Sequence, residues 1–222
     1  MSILLFSGGL DSYIGWKYLK EPKTIYFALG HRYQKYELKA IKQTIPNTII
    51  DSRLSMADQE HPDAFIPLRN DLLIRMASLY DNNIWLVVQK GELELADRSP
   101  AFFLDTALSL SRLHEKHVTV SSPFFDITKT QMVEWYLENN YSVDDLLQTR
   151  SCYSITKLPC GACTACFRRW VSLEYCDIHE PMETNILKWS GTQDYIKKFQ
   201  AGKYENERTD ETLVVLKKYG LI

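Results

Sequence analysis

Long hydrophobic runs are missing from this sequence: none of its 222 residues falls in a stretch approaching the roughly 20 consecutive apolar side chains that a membrane-spanning helix needs. The opening Met1-Ser2-Ile3-Leu4-Leu5-Phe6 has no basic segment before its apolar run, and that run is too short for a secretory signal, so a cytoplasmic protein without a membrane partner is expected. An excess of either charge is also missing. Lys and Arg number 26 against 28 Asp and Glu, a net charge of −2, which gives no overall attraction for nucleic acid phosphates and argues against a nucleic acid partner. No internal repeat and no low-complexity tract occurs, which excludes solenoids and disordered linkers. The Walker phosphate loop, G-x-x-x-x-G-K-[ST], is absent too.

What is there is the composition of an ordinary globular chain, 45% hydrophobic and 24% charged, long enough for one substantial core. Short aliphatic runs alternate with helical patterns, the signature of βαβ units and a parallel sheet. The strands expected are Ile3–Phe6, Thr24–Leu29, Thr48–Ile50, Ile84–Val88 and Val118–Ser121. Between them, core-facing helical stripes are expected at Leu38, Ile41 and Ile45, at Leu72, Leu73, Met76, Ala77 and Tyr80, at Phe103, Leu104, Ala107 and Leu108, and at Met132, Val133, Tyr136 and Leu137. After about residue 149 the pattern changes to a cysteine-rich region, a helix from about Thr164 to Tyr175 and a polar tail ending in Thr212–Tyr219. The expected organisation is an α/β domain over 1–149, with a metal-binding and helical region over 150–222 packed on it as one unit.

The first strand runs straight into Ser7-Gly8-Gly9-Leu10-Asp11-Ser12, followed by a helix expected from Asp11 to Leu19. Paired glycines let the chain turn sharply and bring successive amides to an anion, and the helix N-terminus adds its positive dipole end. Ser7 and Ser12 supply hydroxyls. Asp11 would repel phosphate directly, so it either helps to hold Mg²⁺ or caps the helix, and the sequence leaves both open.

Four of the five cysteines follow the pattern Cys152-x7-Cys160-x2-Cys163-x2-Cys166. In a reduced compartment that crowding indicates a metal site rather than a disulfide framework. Four thiolates around a tetrahedral ion make a closed structural zinc site, with an iron–sulfur cluster and unliganded core cysteines as the alternatives. Cys176 is expected as a buried free thiol. Arg168 and Arg169 open the following helix, either as a solvated face or as contacts to phosphate or a substrate carboxylate. The segment Gln89–Pro100, with Glu92, Glu94, Asp97 and Arg98, follows a strand where α/β sheets place ligand-contacting loops.

The string Ser7–Ser12 resembles the pyrophosphate loop of the ATP pyrophosphatase superfamily. Together with Ser151-Cys152-Tyr153 and the later cysteines, Gly30-His31-Arg32 followed by Glu37, Phe65-Ile66-Pro67-Leu68-Arg69-Asn70, and Pro123 with Ile127-Thr128-Lys129, it resembles the 7-cyano-7-deazaguanine synthase family. These matches spread over roughly residues 2 to 170 in the right order. The resemblance implies an adenine nucleotide alpha hydrolase-like, Rossmann-like fold: a parallel five-stranded sheet with helices on both faces and a small zinc-binding C-terminal region. It further implies a ligase that uses ATP to adenylate the carboxylate of 7-carboxy-7-deazaguanine and displaces AMP with ammonia, giving an amide and then a nitrile in the queuosine pathway. ATP would contact Phe6, Ser7, Gly8, Gly9, Leu10, Asp11, Ser12, Arg69 and Asn70. Catalysis would fall to Asp11, Ser12, Arg69 and Lys129, and the purine-like acid to Arg32, Asp97 and Ser99. One structural Zn²⁺ on Cys152, Cys160, Cys163 and Cys166, Mg²⁺ with ATP, and a homodimer are implied as well. Arg69 and Asn70 also stand at a helix start, where an N-cap with a surface arginine is the other reading.

The chain departs from the family pattern at several places. Where the family reads D-x-S-G-Y-P-D-C-R, this chain has Asp97-Arg98-Ser99-Pro100-Ala101-Phe102-Phe103, and the tryptophan before Ser-Cys-Tyr is Arg150. An aromatic, poorly hydrogen-bonding wall from Pro100 to Phe103 is therefore expected beside the substrate. A different amine or acceptor, a nucleotide-binding protein without catalysis, and a tRNA-thiolating enzyme are the other readings.

Overall fold

A computed structural model describes residues 1–204 and 206–222. Five strands form one parallel sheet: β1 (Ile3–Leu5), β2 (Lys23–Phe27), β3 (Ile49–Asp51), β4 (Asn83–Leu86) and β5 (Thr119–Ser121), in the order β3-β2-β1-β4-β5. These are the strands expected from the aliphatic runs, with ends shifted by up to two residues. Side chains alternate across the sheet. Ile3 and Leu5 enter one core with Ile25, Phe27, Ile74, Ile84 and Phe103, whereas Leu4 and Phe6 enter the other with Tyr26, Ile14, Ile41, Met132 and Tyr136. With both faces covered, β1 and its neighbours read as continuous hydrophobic runs.

Helices α1 (Leu10–Tyr18), α2 (Gln34–Thr44), α3 (Arg69–Ala77), α4 (Pro100–His114), α5 (Lys129–Glu138) and the short α6 (Val143–Leu147) complete the two layers. The α5 N-terminus is fixed by a capping box: the Gln131 amide donates to Thr128 Oγ1 at 3.2 Å, and the Thr128 amide donates to Gln131 Oε1 at 2.8 Å. That box sets Lys129 as the first helical residue. On α4 the buried positions are Phe103, Thr106 and Leu110, while Leu104 and Leu108 face solvent. The stripe expected there holds at Phe103 and Ala107 and fails at the two leucines, because it is drawn one position too wide around the helix.

Beyond residue 150, α7 (Thr164–Tyr175), α8 (Ser190–Gln200) and α9 (Asn206–Lys218) surround a third cluster. It combines Phe167, Trp170, Ile186, Ile196, Phe199, Val215 and Leu216 with Cys152 and Cys166. Helix α8 lies in the stretch read as polar tail; its buried positions are only Thr192, Ile196 and Phe199. Leu173 and Ile178 belong to the same cluster as Leu4 and Phe6, and α7 packs against α5 over that face of the sheet.

Candidate active site

Strand order reverses at β1, whose neighbours are β2 on one side and β4 on the other. At such a switch point the loops leave in opposite directions and open a crevice at the carboxyl ends of the strands. A cleft of about 240 Å³ lies here.

Its floor is the glycine loop. Gly8 has φ +71°, and a Cβ there would meet the Glu37 carbonyl at 3.1 Å and Ile41 Cγ1 at 3.0 Å, so the turn needs glycine for both conformation and space. Ser7 Oγ accepts from the Gly9 amide at 3.3 Å, and Ser12 Oγ donates to the Gly9 carbonyl at 3.0 Å. Gly9, at the α1 N-cap, brings no side-chain cap, and the Leu10 amide is taken by Ser151 Oγ at 3.4 Å. The amides that follow it, together with the dipole, are directed at the cleft. Asp11 does not cap the helix either: both of its carboxylate oxygens accept from Lys129 Nζ at 2.5 Å.

Of the residues expected at the nucleotide, Phe6, Ser7, Gly9, Leu10, Asp11, Ser12, Arg69 and Asn70 line the cleft, as does Lys129, expected in catalysis. Gly8 shapes the turn from beneath. Asn70 is buried and its amide lies 3.5 Å from the Asp97 carbonyl, while the α3 N-cap position is Leu68 in left-handed backbone. The N-cap reading of Asn70 does not apply.

Arg32, Asp97 and Ser99 do not line the cleft. The Arg32 guanidinium donates to the Pro62 carbonyl at 2.7 Å and faces Glu60. Ser99 is the N-cap of α4, accepting from the Phe102 amide at 3.2 Å. Nor do Pro100 to Phe103 form a wall. Pro100 starts α4, and Phe103 packs edge-on to Phe125 in the sheet core, 5.1 Å between ring centres. The proline and the cap turned the loop into a helix start.

Other side chains take their place. Glu92 binds Arg168, and also Arg98 at 2.9 Å. Burial pushes the Glu92 carboxyl up, but Arg168, Arg98 and Lys129 outweigh it and hold the group at about 2. Burial lowers the Lys129 ammonium, against the pull of Asp11. Arg168 is a cleft residue rather than a solvated face. Arg169 is 1% exposed and bidentate on Glu180 at 2.7 Å, with Thr149 Oγ1 at 2.6 Å. With Arg69, Arg98, Lys129 and Arg168 against Asp11, Glu37 and Glu92, the cleft is net cationic.

An aromatic group occupies its other end. His31 and Tyr33 have ring centres 4.1 Å apart, Tyr33 and Tyr153 5.3 Å, and the Tyr26 hydroxyl donates to Glu37 at 2.7 Å. His31 Nδ1 is buried without a partner. Tyr33 and Tyr153 were not singled out as site residues from sequence, and of these only Tyr153 carried a signal, as neighbour of the first cluster cysteine; for Arg168 the contact reading is the one the cleft supports.

The sulfur atoms of Cys152, Cys160, Cys163 and Cys166 lie within 4.8 Å of one another, and Cys160 and Cys166 are 3.8 Å apart. Metal–sulfur bonds of about 2.3 Å to a tetrahedral zinc imply edges of about 3.8 Å. Backbone amides of Ser154 and Cys160 donate to Cys152 Sγ at 3.3 Å, and those of Ala162 and Cys166 to Cys160 Sγ and Cys163 Sγ at 3.4 Å. Such donors stabilise thiolates; within the group, hydrogen bonding from Cys163 and Cys166 lowers the Cys152 thiol, while burial raises that of Cys160 and hydrogen bonding with Cys152 raises that of Cys166. The site fits a zinc ion. Gly161, at φ +65°, passes so close to Thr184 that a Cβ would sit 1.8 Å from its carbonyl oxygen. Cys176 is half-buried outside the cluster, and burial raises its thiol to about 12.

Residues 23–176 match the model of the family described as "Queuosine biosynthesis protein QueC". The chain belongs to this family. Among curated proteins it is similar to the 7-cyano-7-deazaguanine synthase of Halobacterium salinarum, 27% identical over 150 residues, covering 62% of this chain and 64% of that protein. It is similar to the enzyme of the same name from Desulfotalea psychrophila, 26% identical over 212 residues, covering 78% and 94%. A third, from Rickettsia canadensis, is 36% identical over 70 residues, covering 31% and 30%. The chain thus spans just under two thirds of the Halobacterium relative. The glycine loop precedes the matched residues of this QueC-family chain, so its link to nucleotide rests on its own geometry. No helix among the described residues is long and apolar enough to cross a membrane.

Proposed function

We propose that this chain is an ATP-dependent carbon–nitrogen ligase acting on 7-carboxy-7-deazaguanine or a closely similar acid. One juxtaposition carries the reading: the glycine loop at 7–12 faces Lys129, Arg168 and Arg69 across the same cleft. The loop amides and Ser7 and Ser12 hold the pyrophosphate end of ATP. Arg69, Lys129 and Arg168 draw the acid in and offset the charge that builds on the α-phosphate. Mg²⁺ bound with ATP would sit at Asp11, the carboxylate beside the loop, and would supply further charge neutralisation.

The carboxylate oxygen attacks the α-phosphorus, the bond to pyrophosphate breaks, and an acyl adenylate forms. Ammonia then adds at the acyl carbon, AMP leaves with the bonding electrons, and an amide remains. A second adenylation, on the amide oxygen, followed by loss of AMP and protons gives the nitrile for which the relatives above are named. The heterocycle stacks by Tyr33 and Tyr153, with Glu37 and the unpaired His31 Nδ1 available to its polar edge. Residues 150–222 act as an appendage that packs on 1–149 as one unit, a division supported by the shared cluster of Leu173 and Ile178 with β1. A cytoplasmic homodimer belongs to the same reading.

Mass spectrometry of products after incubation with ATP, Mg²⁺, ammonium and 7-carboxy-7-deazaguanine tests it. AMP, pyrophosphate and the amide or nitrile are expected; ADP, or no consumption of the acid, contradicts it. A second reading, transfer to another amine, is favoured by the start of α4 at Pro100, which takes Ser99 to Phe103 away from the cleft where the family pattern carries polar side chains. A panel of amines in the same assay separates the two.

A further inference from the structure

A second, much smaller cavity of about 30 Å³ lies beyond the cleft, between Gln89, the α5 N-terminus, α7 and α9. It has room for one or two molecules the size of water. Lys129 and Arg168 line both spaces, so these two side chains form a wall between them. Gln89, Thr128, Thr130 and Glu211 converge on the small cavity. Gln89 is 3% exposed, and its side-chain oxygen has no hydrogen-bond donor. An acceptor buried in that way costs about 1–3 kcal/mol, and native interiors rarely leave one unmet. The Thr128 hydroxyl donates to Glu211, which reaches in from α9.

The occupant must be small, rich in N–H or O–H donors and tolerant of neighbouring cations. An anion would meet Glu211 and would offer the Gln89 oxygen no donor. A metal ion would meet Lys129 and Arg168, with Lys90 and Arg208 also on the lining. An apolar guest would leave Gln89 unmet. Ammonia has three donors, one lone pair and the size of water. Phe167 and Phe199 close the opposite side, where a neutral molecule is favoured over a charged one.

We propose that this cavity is the ammonia site: ammonium gives one proton to Glu211 at the α9 side, and the molecule enters as neutral ammonia, which passes Lys129 and Arg168 to the acyl carbon in the cleft. The inference rests on the adenylation reading above. Each step balances. Ammonium and the Glu211 carboxylate give ammonia and a carboxylic acid; the nitrogen lone pair then forms the C–N bond, the C–O bond to AMP breaks, and the surplus proton leaves to solvent. Burial makes Glu211 a stronger proton acceptor, against the lowering by the Thr128 and Thr130 hydroxyls, with Glu134 on α5 and Glu207 on α9 acting in the same sense as burial. The cations of Lys129 and Arg168 disfavour ammonium and so favour its neutral form at the wall.

Two measurements on the full chain separate this inference from the reading beneath it. Acid-dependent exchange of labelled pyrophosphate into ATP, without ammonium, reports adenylation alone. Amide formation against ammonium concentration reports the cavity. Gln89→Leu and Glu211→Gln, neither in the cleft, should keep wild-type exchange while the ammonium KM rises at least tenfold. Should Gln89→Leu fail to fold, Glu211→Gln on the outer helix carries the test. Wild-type exchange with an unchanged ammonium KM in a folded variant overturns the inference and makes the cavity a site for ordinary water. No exchange in the wild type instead removes the adenylation reading, and the ammonia site falls with it.

Discussion

The backbone amide of Arg150 donates to the carbonyl of Gly8 at 2.7 Å, tying the segment that enters the cysteine cluster to the turn of the glycine loop. Ser151 reinforces the tie, its hydroxyl accepting from the Leu10 amide at 3.4 Å. The Arg150 side chain points the other way, into the carbonyls of Ser154 at 3.0 Å, Thr156 at 2.9 Å and Lys157 at 3.3 Å. Arg150→Ala leaves those carbonyls without their charged donor and should cost about 3 kcal/mol of stability. Urea denaturation reads that loss. Nucleotide affinity should fall about tenfold as the tether loosens; a variant as stable as wild type would show that the segment holds itself.

Asp11 and Lys129 neutralise each other across the cleft. Lys129→Met leaves the carboxylate unpaired beside the phosphates and should lower kcat/KM about 100- to 1000-fold, the range seen when one charge-stabilising donor is removed. Asp11→Asn should also be severe. In stability the double variant should lose less than the sum of the singles, because the charges are removed together. Strict additivity in thermal denaturation would mean that the pair is not coupled.

Glu92 gives the fold a definable acid sensitivity. Its carboxyl moves from an ordinary 4.5 to about 2. A depressed folded value means stability that is fully present above pH 4.5 and lost as pH falls toward 2. That shift corresponds to about 3 kcal/mol at neutral pH. The stability gap between wild type and Glu92→Gln should therefore be widest at neutral pH and narrow steadily below pH 4.5, as followed by denaturation at fixed ionic strength. A gap that is constant with pH would contradict the account of Arg168 and Arg98.

One zinc per chain is expected by elemental analysis. Cys160→Ser should lower the melting temperature and expose residues 150–222 to proteolysis, while changing ATP affinity less than Arg150→Ala does. Iron with sulfide in the purified protein would replace zinc by a cluster.

Much of this was legible in the sequence because some signals are local. Ile3 to Leu5 is buried on both faces, so its hydrophobic run announced a parallel strand, and Gly8-Gly9 after it announced the turn. Four of the five cysteines lie within residues 152–166 and needed no fold to be grouped. Pairings across long separations were not legible: Glu92 and Arg168 meet only because β4 and α7 converge at the cleft. Phe102 and Phe103 misled for the opposite reason. Their aromatic character was correctly read, but Ser99 caps the helix that carries Phe103 into the core and away from the cleft. Arg150 stood out only as a departure, and its three carbonyl partners follow from the path of residues 154–157.

The central claim is that a substrate carboxylate attacks the α-phosphorus of ATP. Oxygen labelling tests it most directly. With both carboxylate oxygens of 7-carboxy-7-deazaguanine replaced by ¹⁸O, each turnover to amide should place one labelled oxygen in the phosphate of AMP, read by mass spectrometry. AMP without label, or ADP with label in inorganic phosphate, would show that the acid is not activated as an adenylate and would contradict the account.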